Sequence, residues 1–420
     1  MTSSSVILAG AIIIGNGISF AAIPILSRLY SPESFGIFGF VISWGTIASV
    51  VFTLRLESVI PITSSTIQAA SLSQHAINRT FLITAVLIFI VLLLWLYGTD
   101  FTHEIGVLEV LLGIGTAFSG SYFAVCRSMH QRFDEYRTIA SSSIVRSFTF
   151  AGLAIVFGFR DFGLLLGSTP LLFASMVAFL IPAILLHCKL EPEMRQAMMP
   201  GPARRLKQTD FSDKALNRMI TSFVLSQISF QFPLWIAMAF FGSSAAGWMV
   251  MGYRLAMFPS DIICGSISLV IARRIADSMF HNRHNIDADK RILALFLLGN
   301  FVLFALLGAA VLTLTSYFLG SEWHSAAPVM ALLASVGLSF TVQPTAIQIF
   351  GLLKRDLEAL AVNVVHCVLL SAGAITLWLA SGDLYTGVMA LALVELIFSI
   401  MLSAYMLWAI RKNNNGFAAL

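Results

Sequence analysis

The chain has 420 residues, of which 58% are hydrophobic and only 11% are charged, and its formal net charge is +4. A soluble domain carries about 25% charged residues, so this composition excludes a water-soluble globular protein and favours a chain embedded in a bilayer. The four cysteines show no CxxC spacing (Cys126, Cys188, Cys264 and Cys367), so we predict neither a zinc site nor a disulfide. We expect the apolar stretch after the initial MTSSS to be a retained helix and not a signal peptide.

Twelve stretches are apolar over enough residues, about 20, to cross a bilayer as helices. In chain order they lie near 6–27, 36–55, 81–97, 106–126, 138–158, 163–187, 218–241, 247–271, 292–316, 326–349, 358–380 and 385–409. The predicted fold class is an all-α polytopic membrane protein of about twelve transmembrane helices. A basic segment rich in Pro and Gly follows the sixth helix. We therefore expect an N-lobe over 1–187, a cytoplasmic linker over 188–217, and a C-lobe with a short cytoplasmic tail over 218–420.

The positions of the basic residues predict the orientation of these helices. Most of the 25 lysines and arginines fall in alternate loops, and the positive-inside rule places such loops in the cytoplasm together with both termini. Only Arg28 and Arg160 fall on the opposite side, whereas Arg55, Arg146 and Arg254 fall inside predicted helices. The basic excess is therefore a topology signal, and we expect no nucleic-acid partner.

The two halves of the chain resemble each other at a nearly fixed offset. The turn GTDF at 98–101 corresponds to GSEW at 320–323, and the same offset aligns Gly115 with Gly337. Six helices per half give both halves the same orientation, which predicts two lobes related by a pseudo-two-fold axis along the membrane normal. Such an arrangement favours a central site with alternating access to the two sides of the membrane. The alternative is a duplication retained for stability alone.

Two stretches near the N-terminus indicate a family: SRLYSPESFGIFGFVISW at 27–44 and LRLESVIPIT at 54–63. With the GSEW turn at 320–323 and GLLKRDLEAL at 351–360, they resemble the polysaccharide and O-antigen flippases of the multidrug/oligosaccharidyl-lipid/polysaccharide exporter superfamily. The chain departs from the commonest pattern in reading Leu-Tyr-Ser where many members have a Gly before the Pro.

This resemblance implies a flippase that moves an undecaprenyl-pyrophosphate-linked oligosaccharide across the bacterial inner membrane, for O-antigen, lipopolysaccharide or another surface polysaccharide. It implies membrane lipids as partners, together with a polysaccharide polymerase and a chain-length regulator.

A pyrophosphate that crosses hydrocarbon needs fixed cations, and arginine binds phosphate oxygens through two parallel donors. The pyrophosphate-binding candidates are therefore the embedded arginines Arg254, Arg146 and Arg55. Arg254 is the strongest, because it lies well inside the predicted eighth helix, in the periplasmic half of the membrane. For each arginine, the alternative is a side chain that reaches the membrane interface or pairs structurally.

Embedded ionisable groups are candidates for coupling transport to protons or sodium ions, because burial perturbs their ionisation. These candidates are Asp261, Glu395, Glu57 and His366. Asp261 follows Arg254 by about two helical turns, so the two should point in similar directions. Glu57 offers charge balance to the nearby Arg55, although residues two apart do not share a helix face. Interhelical ion pairs are the alternative, and we predict no metal site and no cofactor besides such a coupling ion.

Sugars need neutral hydrogen-bonding groups in the membrane-spanning helices. The sugar-lining candidates are Asn16, Gln227, Gln231, Gln343, Gln348 and Asn363. Hydrogen bonding between helices is an equal alternative for these side chains.

Two other functions compete with the flippase. A cation-coupled multidrug exporter of the same superfamily should have a net acidic cavity. Here the three embedded arginines are balanced by only three embedded carboxylates, Glu57, Asp261 and Glu395. A membrane-embedded polysaccharide polymerase or ligase usually needs an extended periplasmic loop, but each predicted loop on that side has about a dozen residues or fewer. No Ser–His–Asp, metal-ligand or phosphate-loop signature occurs, so we predict that the protein is not an enzyme.

Overall fold

The computed structural model describes residues 3–63, 65–97, 105–159, 167–199, 213–264, 286–352, 356–379 and 383–417. All regular elements in these ranges are helical, which confirms the predicted all-α class. The α-helices are α1 (Ser3–Leu29), α2 (Pro32–Thr53), α3 (Leu56–Val59), α4 (Thr66–Leu96), α5 (Val107–Arg132), α6 (Tyr136–Phe159), α7 (Thr169–Lys189), α8 (Pro192–Met198), α9 (Asp213–Ile263), α10 (Ile286–Leu319), α11 (Ala327–Leu352), α12 (Asp356–Leu379) and α13 (Leu384–Phe417). Short 3₁₀ helices cover Ile60–Ile62 and Ser321–Trp323.

Membrane-spanning length is the feature that most of these helices share. In the described part of the chain, nine helices are long and apolar enough to cross a bilayer, and two shorter apolar stretches belong to α1 and α12. The apolar part of α9, Phe223–Ile263, has 41 residues, about twice the length that one crossing needs. Gly242 divides it with a non-helical backbone at φ 83°, which glycine adopts more readily than other residues. With α9 counted as two crossings, the helices reach the predicted total of about twelve.

The chain divides into two compact units, residues 1–227 and residues 228–420. Helix α8 lies within the predicted linker and packs in unit 1, where Met198 is fully buried and Gln74 Nε2 donates to the Met199 carbonyl at 3.1 Å. That part of the linker is therefore helical, and α9 begins at Asp213, before the predicted end of the linker. The partition into N-lobe, linker and C-lobe stays a prediction.

Small residues and one buried hydroxyl bring helices together in unit 1. A side chain at Gly158 on α6 would meet Leu29 Cβ at 2.9 Å, so glycine is what lets α1 and α6 pack this closely. Beside it, the Tyr30 hydroxyl donates to the Ala154 carbonyl at 2.7 Å. Both contacts are buried, and they fix the end of α1 against α6.

In unit 2, the second half of α9 packs against α11, α12 and α13. The apolar core of this region includes Met249, Tyr253, Leu333 and Leu391. A second core, centred on the fully buried Phe304, joins α10 to α11 and α13. These two cores hold the candidate residues of α9, α12 and α13 in place.

Candidate functional site

Arg55 lies at a break between two helices. The helix predicted near 36–55 ends at Thr53, and both Leu54 and Arg55 adopt left-handed backbones, with φ of 48° and 58°. Such a backbone costs roughly 1–2 kcal/mol for each non-glycine residue, so the break must be held by other contacts. The Arg55 guanidinium lies 3.8 Å from the centroid of the Phe223 ring. This cation–π contact offsets part of the cost of the left-handed backbone.

The broken helix also lets Arg55 contact Glu57. Arg55 Nη1 donates to Glu57 Oε1 at 3.2 Å, although residues two apart do not meet on a regular helix. Arg55 Nε and Glu57 Oε2 are buried and have no hydrogen-bond partner within the described residues. The assignment of Arg55 to pyrophosphate binding stays a prediction.

Arg146 is half-buried on α6. Its guanidinium lies 5.3 Å from the centroid of the Phe179 ring on α7, so it contributes to packing between these helices. This contact is the structural role that the sequence left open, and it leaves the assignment of Arg146 to pyrophosphate a prediction.

Arg254 and Asp261 differ in burial, although both lie on α9. Arg254 is half-buried, next to the buried Tyr253, whereas Asp261 is exposed. The helix remains continuous through Pro259 to Ile263. Of the two embedded carboxylates that the sequence places near the membrane centre, the one that the structure buries is Glu395, at 1% exposure.

The structure brings His366 and Glu395 together, although they are separate candidates in the sequence. His366 Nε2 on α12 lies 3.1 Å from Glu395 Oε2 on α13, and the imidazole stacks on Phe398 with ring centroids 4.7 Å apart. Tyr253 lies close enough to Glu395 for the two side chains to interact electrostatically. Glu395 Oε1 is buried and has no hydrogen-bond partner among the residues described.

Two of the sugar-lining candidates bond to each other. Gln343 Nε2 on α11 donates to Asn363 Oδ1 on α12 at 2.9 Å, which is the interhelical hydrogen bond that the sequence left as an alternative. Asn16, Gln227 and Gln231 are half-buried, and the side chain of Gln348 lies outside the described part of the chain. The assignment of these residues to sugar binding stays a prediction.

The structure adds a buried histidine that the sequence interpretation missed. His130 is fully buried near the end of α5, with Nδ1 2.5 Å from Glu135 Oε2 and Nε2 2.9 Å from the Leu186 carbonyl of α7. Two residues along, Arg132 Nη1 donates to the carbonyl and the hydroxyl of Thr63. The run of ionisable residues in HQRFDEYR at 130–137 was the available signal. These contacts join the ends of three helical segments in unit 1.

A cavity of about 430 Å³ lies between α2, α4 and α5 in unit 1. Its walls are apolar and include Val41, Trp44, Leu87 and Ile114. A diphosphate or a sugar placed there would lose its hydrogen bonds to water without replacement, so this cavity is not a site for a polar headgroup. Within the described residues, no three His, Cys, Asp or Glu side chains are grouped as metal ligands.

Comparison with known proteins gives the family and the fold. The sequence model of a family described as polysaccharide biosynthesis protein matches residues 1–272, and no curated protein matches this sequence. The structure is similar to an inward-facing multidrug resistance MATE family transporter of the MOP superfamily, with a TM-score of 0.61 and 13% identity over 98% of this chain and 96% of that one. It is also similar to a MOP superfamily transporter from Pyrococcus furiosus described by the reverse polarity of its binding pocket, with a TM-score of 0.59 and 12% identity over 98% and 96% of the two chains.

At such low identity the structural likeness shows the fold alone, which is that of a multi-pass membrane transporter. The family match covers well over half of the chain. It agrees with the resemblance carried by the stretches at 27–44 and 54–63. The embedded arginines and the buried His–Glu pair thus lie in a fold similar to that of the transporters above, in a chain that belongs to the family of polysaccharide biosynthesis proteins.

Proposed function

We propose that the protein is a flippase that moves undecaprenyl-pyrophosphate-linked oligosaccharide repeat units across the bacterial inner membrane, for O-antigen or another surface polysaccharide. The observation that carries this proposal is a polysaccharide biosynthesis family joined to a transporter fold. A saccharide built on one side of a membrane and used on the other must cross the bilayer. A transporter fold suits that step of the pathway.

The chemistry of the embedded residues supports a diphosphate headgroup. The lipid tail can remain in the membrane while the charged diphosphate crosses, so the protein must replace the water that solvates the phosphate oxygens. Guanidinium groups do this well, because their donors match phosphate geometry. Arg254 lies half-buried on a membrane-spanning helix, and Arg55 keeps a buried Nε without a partner among the described residues.

The carboxylates favour the same substrate class over a cationic drug. A cation exporter needs carboxylates that are available to its substrate. Here Glu57 contacts Arg55 and Glu395 contacts His366, so two of the three embedded carboxylates already lie against a basic side chain. This balance favours an anionic substrate.

We also propose alternating access, with both termini in the cytoplasm, because the basic loops predict that orientation and two similar halves suit that mechanism. The protein would then act as a transporter without covalent chemistry. It would deliver its cargo to a polysaccharide polymerase with its chain-length regulator.

The test is complementation of a flippase-null strain with the Arg254→Ala variant. We expect loss of surface polysaccharide at normal protein level, together with accumulation of the lipid-linked repeat unit inside the cell. Arg254→Lys should retain part of the export if charge alone matters, although it loses the two-donor geometry. Arg137→Ala is the matched control, because Arg137 is exposed, and it should export normally. Full export by Arg254→Ala would remove Arg254 from the site.

A cation-coupled multidrug exporter is the second candidate, because one of the similar structures is a multidrug resistance transporter. That function predicts that deleting the gene raises drug sensitivity and leaves surface polysaccharide unchanged. A panel of cationic drugs, tested on the same null strain, separates the two functions.

A further inference from the structure

We infer that the end of α7 in unit 1 binds the phosphate group of an anionic membrane lipid through Arg195 and His187. The site lies where α7 ends at Lys189 and α8 follows, on the side of the membrane that the basic loops predict to be cytoplasmic. Neither side chain belongs to the pyrophosphate candidates. The inference therefore goes beyond the proposed function and does not depend on its substrate.

Two basic side chains meet at this turn with nitrogen atoms left over. Arg195 Nε and His187 Nδ1 are buried and have no hydrogen-bond partner within the described residues. The two side chains lie close enough to interact electrostatically. A buried donor without a partner is unfavourable, and a single anion bound by both side chains would satisfy both nitrogens. A neutral imidazole with its proton on Nδ1 is already a donor, so binding requires no change of charge.

The protein itself occupies Arg195 only in part. Arg195 Nη2 donates to the Leu190 carbonyl at 3.5 Å, which is long for a hydrogen bond. The Leu190 amide in turn donates to the His187 carbonyl at 3.3 Å, so this turn brings Arg195 back towards His187. Glu191 and Glu193 are exposed and form no ion pair with Arg195 in the described part of the chain. The positive charge of this turn is thus left for a ligand to balance.

Exposed apolar side chains lead along α7 to this site. Ile181, Ile184 and Leu185 are 40–49% exposed on a helix long and apolar enough to cross the membrane, so they suit contact with lipid chains. His187 follows Ile184 by three residues, which places it on the same side of the helix and one turn nearer its end. A phosphate at His187 would therefore lie at the end of an apolar surface.

An aromatic row also starts at His187. The imidazole lies 5.9 Å from the Tyr122 ring of α5, and Tyr122 stacks on Phe118 at 6.4 Å. Phe118 meets Phe81 of α4 at 4.9 Å, and Phe81 is 45% exposed. The row provides a second apolar surface, across α5 and α4. A lipid with two chains can use both surfaces, whereas a free phosphate ion can use neither.

An anionic phospholipid is the ligand that fits these features best. Basic pockets between transmembrane helices on the cytoplasmic side bind phosphate headgroups, and the cytoplasmic leaflet carries anionic lipid. Guanidinium donors match the geometry of phosphate oxygens. A zwitterionic lipid has the same phosphate but brings a cation to the same basic side chains. We therefore expect phosphatidylglycerol to bind more tightly than phosphatidylcholine.

Native mass spectrometry of the purified full-length protein counts the lipids bound at increasing concentrations of each phospholipid. We expect wild type to bind one phosphatidylglycerol more tightly than the lipids that follow. Arg195→Gln and His187→Phe should each weaken this first site about tenfold or more. Arg137→Gln is the matched control, because Arg137 is an exposed arginine on the same predicted side of unit 1, and it should bind like wild type.

Thermal unfolding in nanodiscs separates lipid binding from a cap on α7, the structural role open to Arg195 near the last carbonyls of that helix. We expect phosphatidylglycerol to raise the melting temperature of wild type above its value in phosphatidylcholine, and Arg195→Gln to lose that increase. Equal destabilisation of Arg195→Gln in both lipids would show a cap and overturn the inference. If Arg195→Gln does not fold, His187→Phe provides the same test, because it keeps a ring against Tyr122 and leaves Arg195 in place.

Competition experiments identify the source of the phosphate. Equal binding of phosphatidylglycerol and phosphatidylcholine, or equal binding by wild type and Arg195→Gln, would show unspecific boundary lipid and refute the site. Displacement of phosphatidylglycerol by inorganic phosphate would show a site for a free anion instead. Tighter binding of a polyprenyl diphosphate would make this a substrate site and likewise contradict the assignment. None of these measurements uses export, so each of these failures leaves the proposed flippase function to its own test.

Discussion

Replacement of Gly252 by alanine should force two helices of unit 2 apart. A Cβ atom at this position on α9 would lie 2.9 Å from Leu333 Cβ and 3.2 Å from Met330 Cα, both on α11. These two atoms are fixed to the helix backbone, so no rotamer change removes them. Ordinary contacts between carbon atoms are about 3.5–4.0 Å, and the helices must therefore separate by roughly 0.6–1 Å. Leu333 and Met330 are fully buried, in a core that has little room to yield.

The expected magnitude follows from two opposing effects. Overpacking a core costs typically about 1–3 kcal/mol, while replacing a helical glycine by alanine gains up to about 1 kcal/mol. Gly299→Ala is the matched control, because a Cβ on Gly299 of α10 meets nothing within 4 Å. Both variants share the gain in helix propensity. The difference between their free energies of unfolding therefore isolates the packing cost, and Gly252→Ala should be the less stable by about 1–3 kcal/mol.

Denaturant unfolding of both purified variants in mixed detergent micelles measures this difference, with helix content followed by circular dichroism. Equal stability of the two variants would show that α9 and α11 are free to separate. In that case the close packing at Gly252 would not constrain the neighbouring Arg254.

Substitutions at three further positions test local features of the structure. Tyr30→Phe removes the hydroxyl that donates to the buried Ala154 carbonyl, so it should lower the free energy of unfolding by about 1–3 kcal/mol in the same assay. Asp134→Val places a β-branched residue at φ 57° and should cost about 1–2 kcal/mol, whereas Asp134→Gly should not destabilise. Hydrogen bonds from the Thr386 hydroxyl and two backbone amides lower the pKa of Asp383. The stability that these bonds provide is fully present above the ordinary carboxyl pKa. It is lost as the pH falls through the lowered pKa of the folded protein. The melting temperature of Asp383→Asn should accordingly change less than that of wild type between neutral and acidic pH.

The membrane-spanning helices could be predicted because the bilayer imposes one simple constraint. Every backbone polar group in the bilayer needs a partner, so a long apolar stretch must be helical. The last helix illustrates this, since it is predicted from residue 385 and begins at Leu384. At the membrane surface, water can also bond to the backbone, so the constraint no longer applies there. Hydropathy therefore does not show where a helix ends outside the bilayer.

Helix α4 shows where the prediction fails. It begins at Thr66, well before the predicted residue 81, because the intervening residues are too polar to register as membrane-spanning. Their polar groups are nonetheless buried: the Ser73 hydroxyl donates to the Ala69 carbonyl at 2.8 Å, and Gln74 bonds to the backbone after α8. The partner of Gln74 comes from a distant part of the chain, and no pattern within the segment reveals it.

The candidate site shows the same limit. Composition and position identify His366 and Glu395 as separate embedded groups, and they place Glu57 close enough to Arg55 in the sequence to balance its charge. The contact between Arg55 and Glu57 depends on two left-handed residues, which no helical pattern predicts. The contact between His366 and Glu395 depends on how α12 packs on α13. The sequence thus suggested only the first of these pairs, and the fold determined the geometry of both.

The internal repeat and the ionisable contacts support different conclusions about the two halves. The third apolar helix of each half, α4 and α10, buries only 17% of its most apolar window, which is what the predicted repeat leads us to expect. The buried ionisable contacts differ. In the described part of unit 1, His130 meets Glu135 at the end of α5, whereas His366 and Glu395 in unit 2 lie within the helices α12 and α13. Among the described residues, these two His–Glu contacts therefore lie at different places in their units, one at the end of a helix and one within the apolar helices.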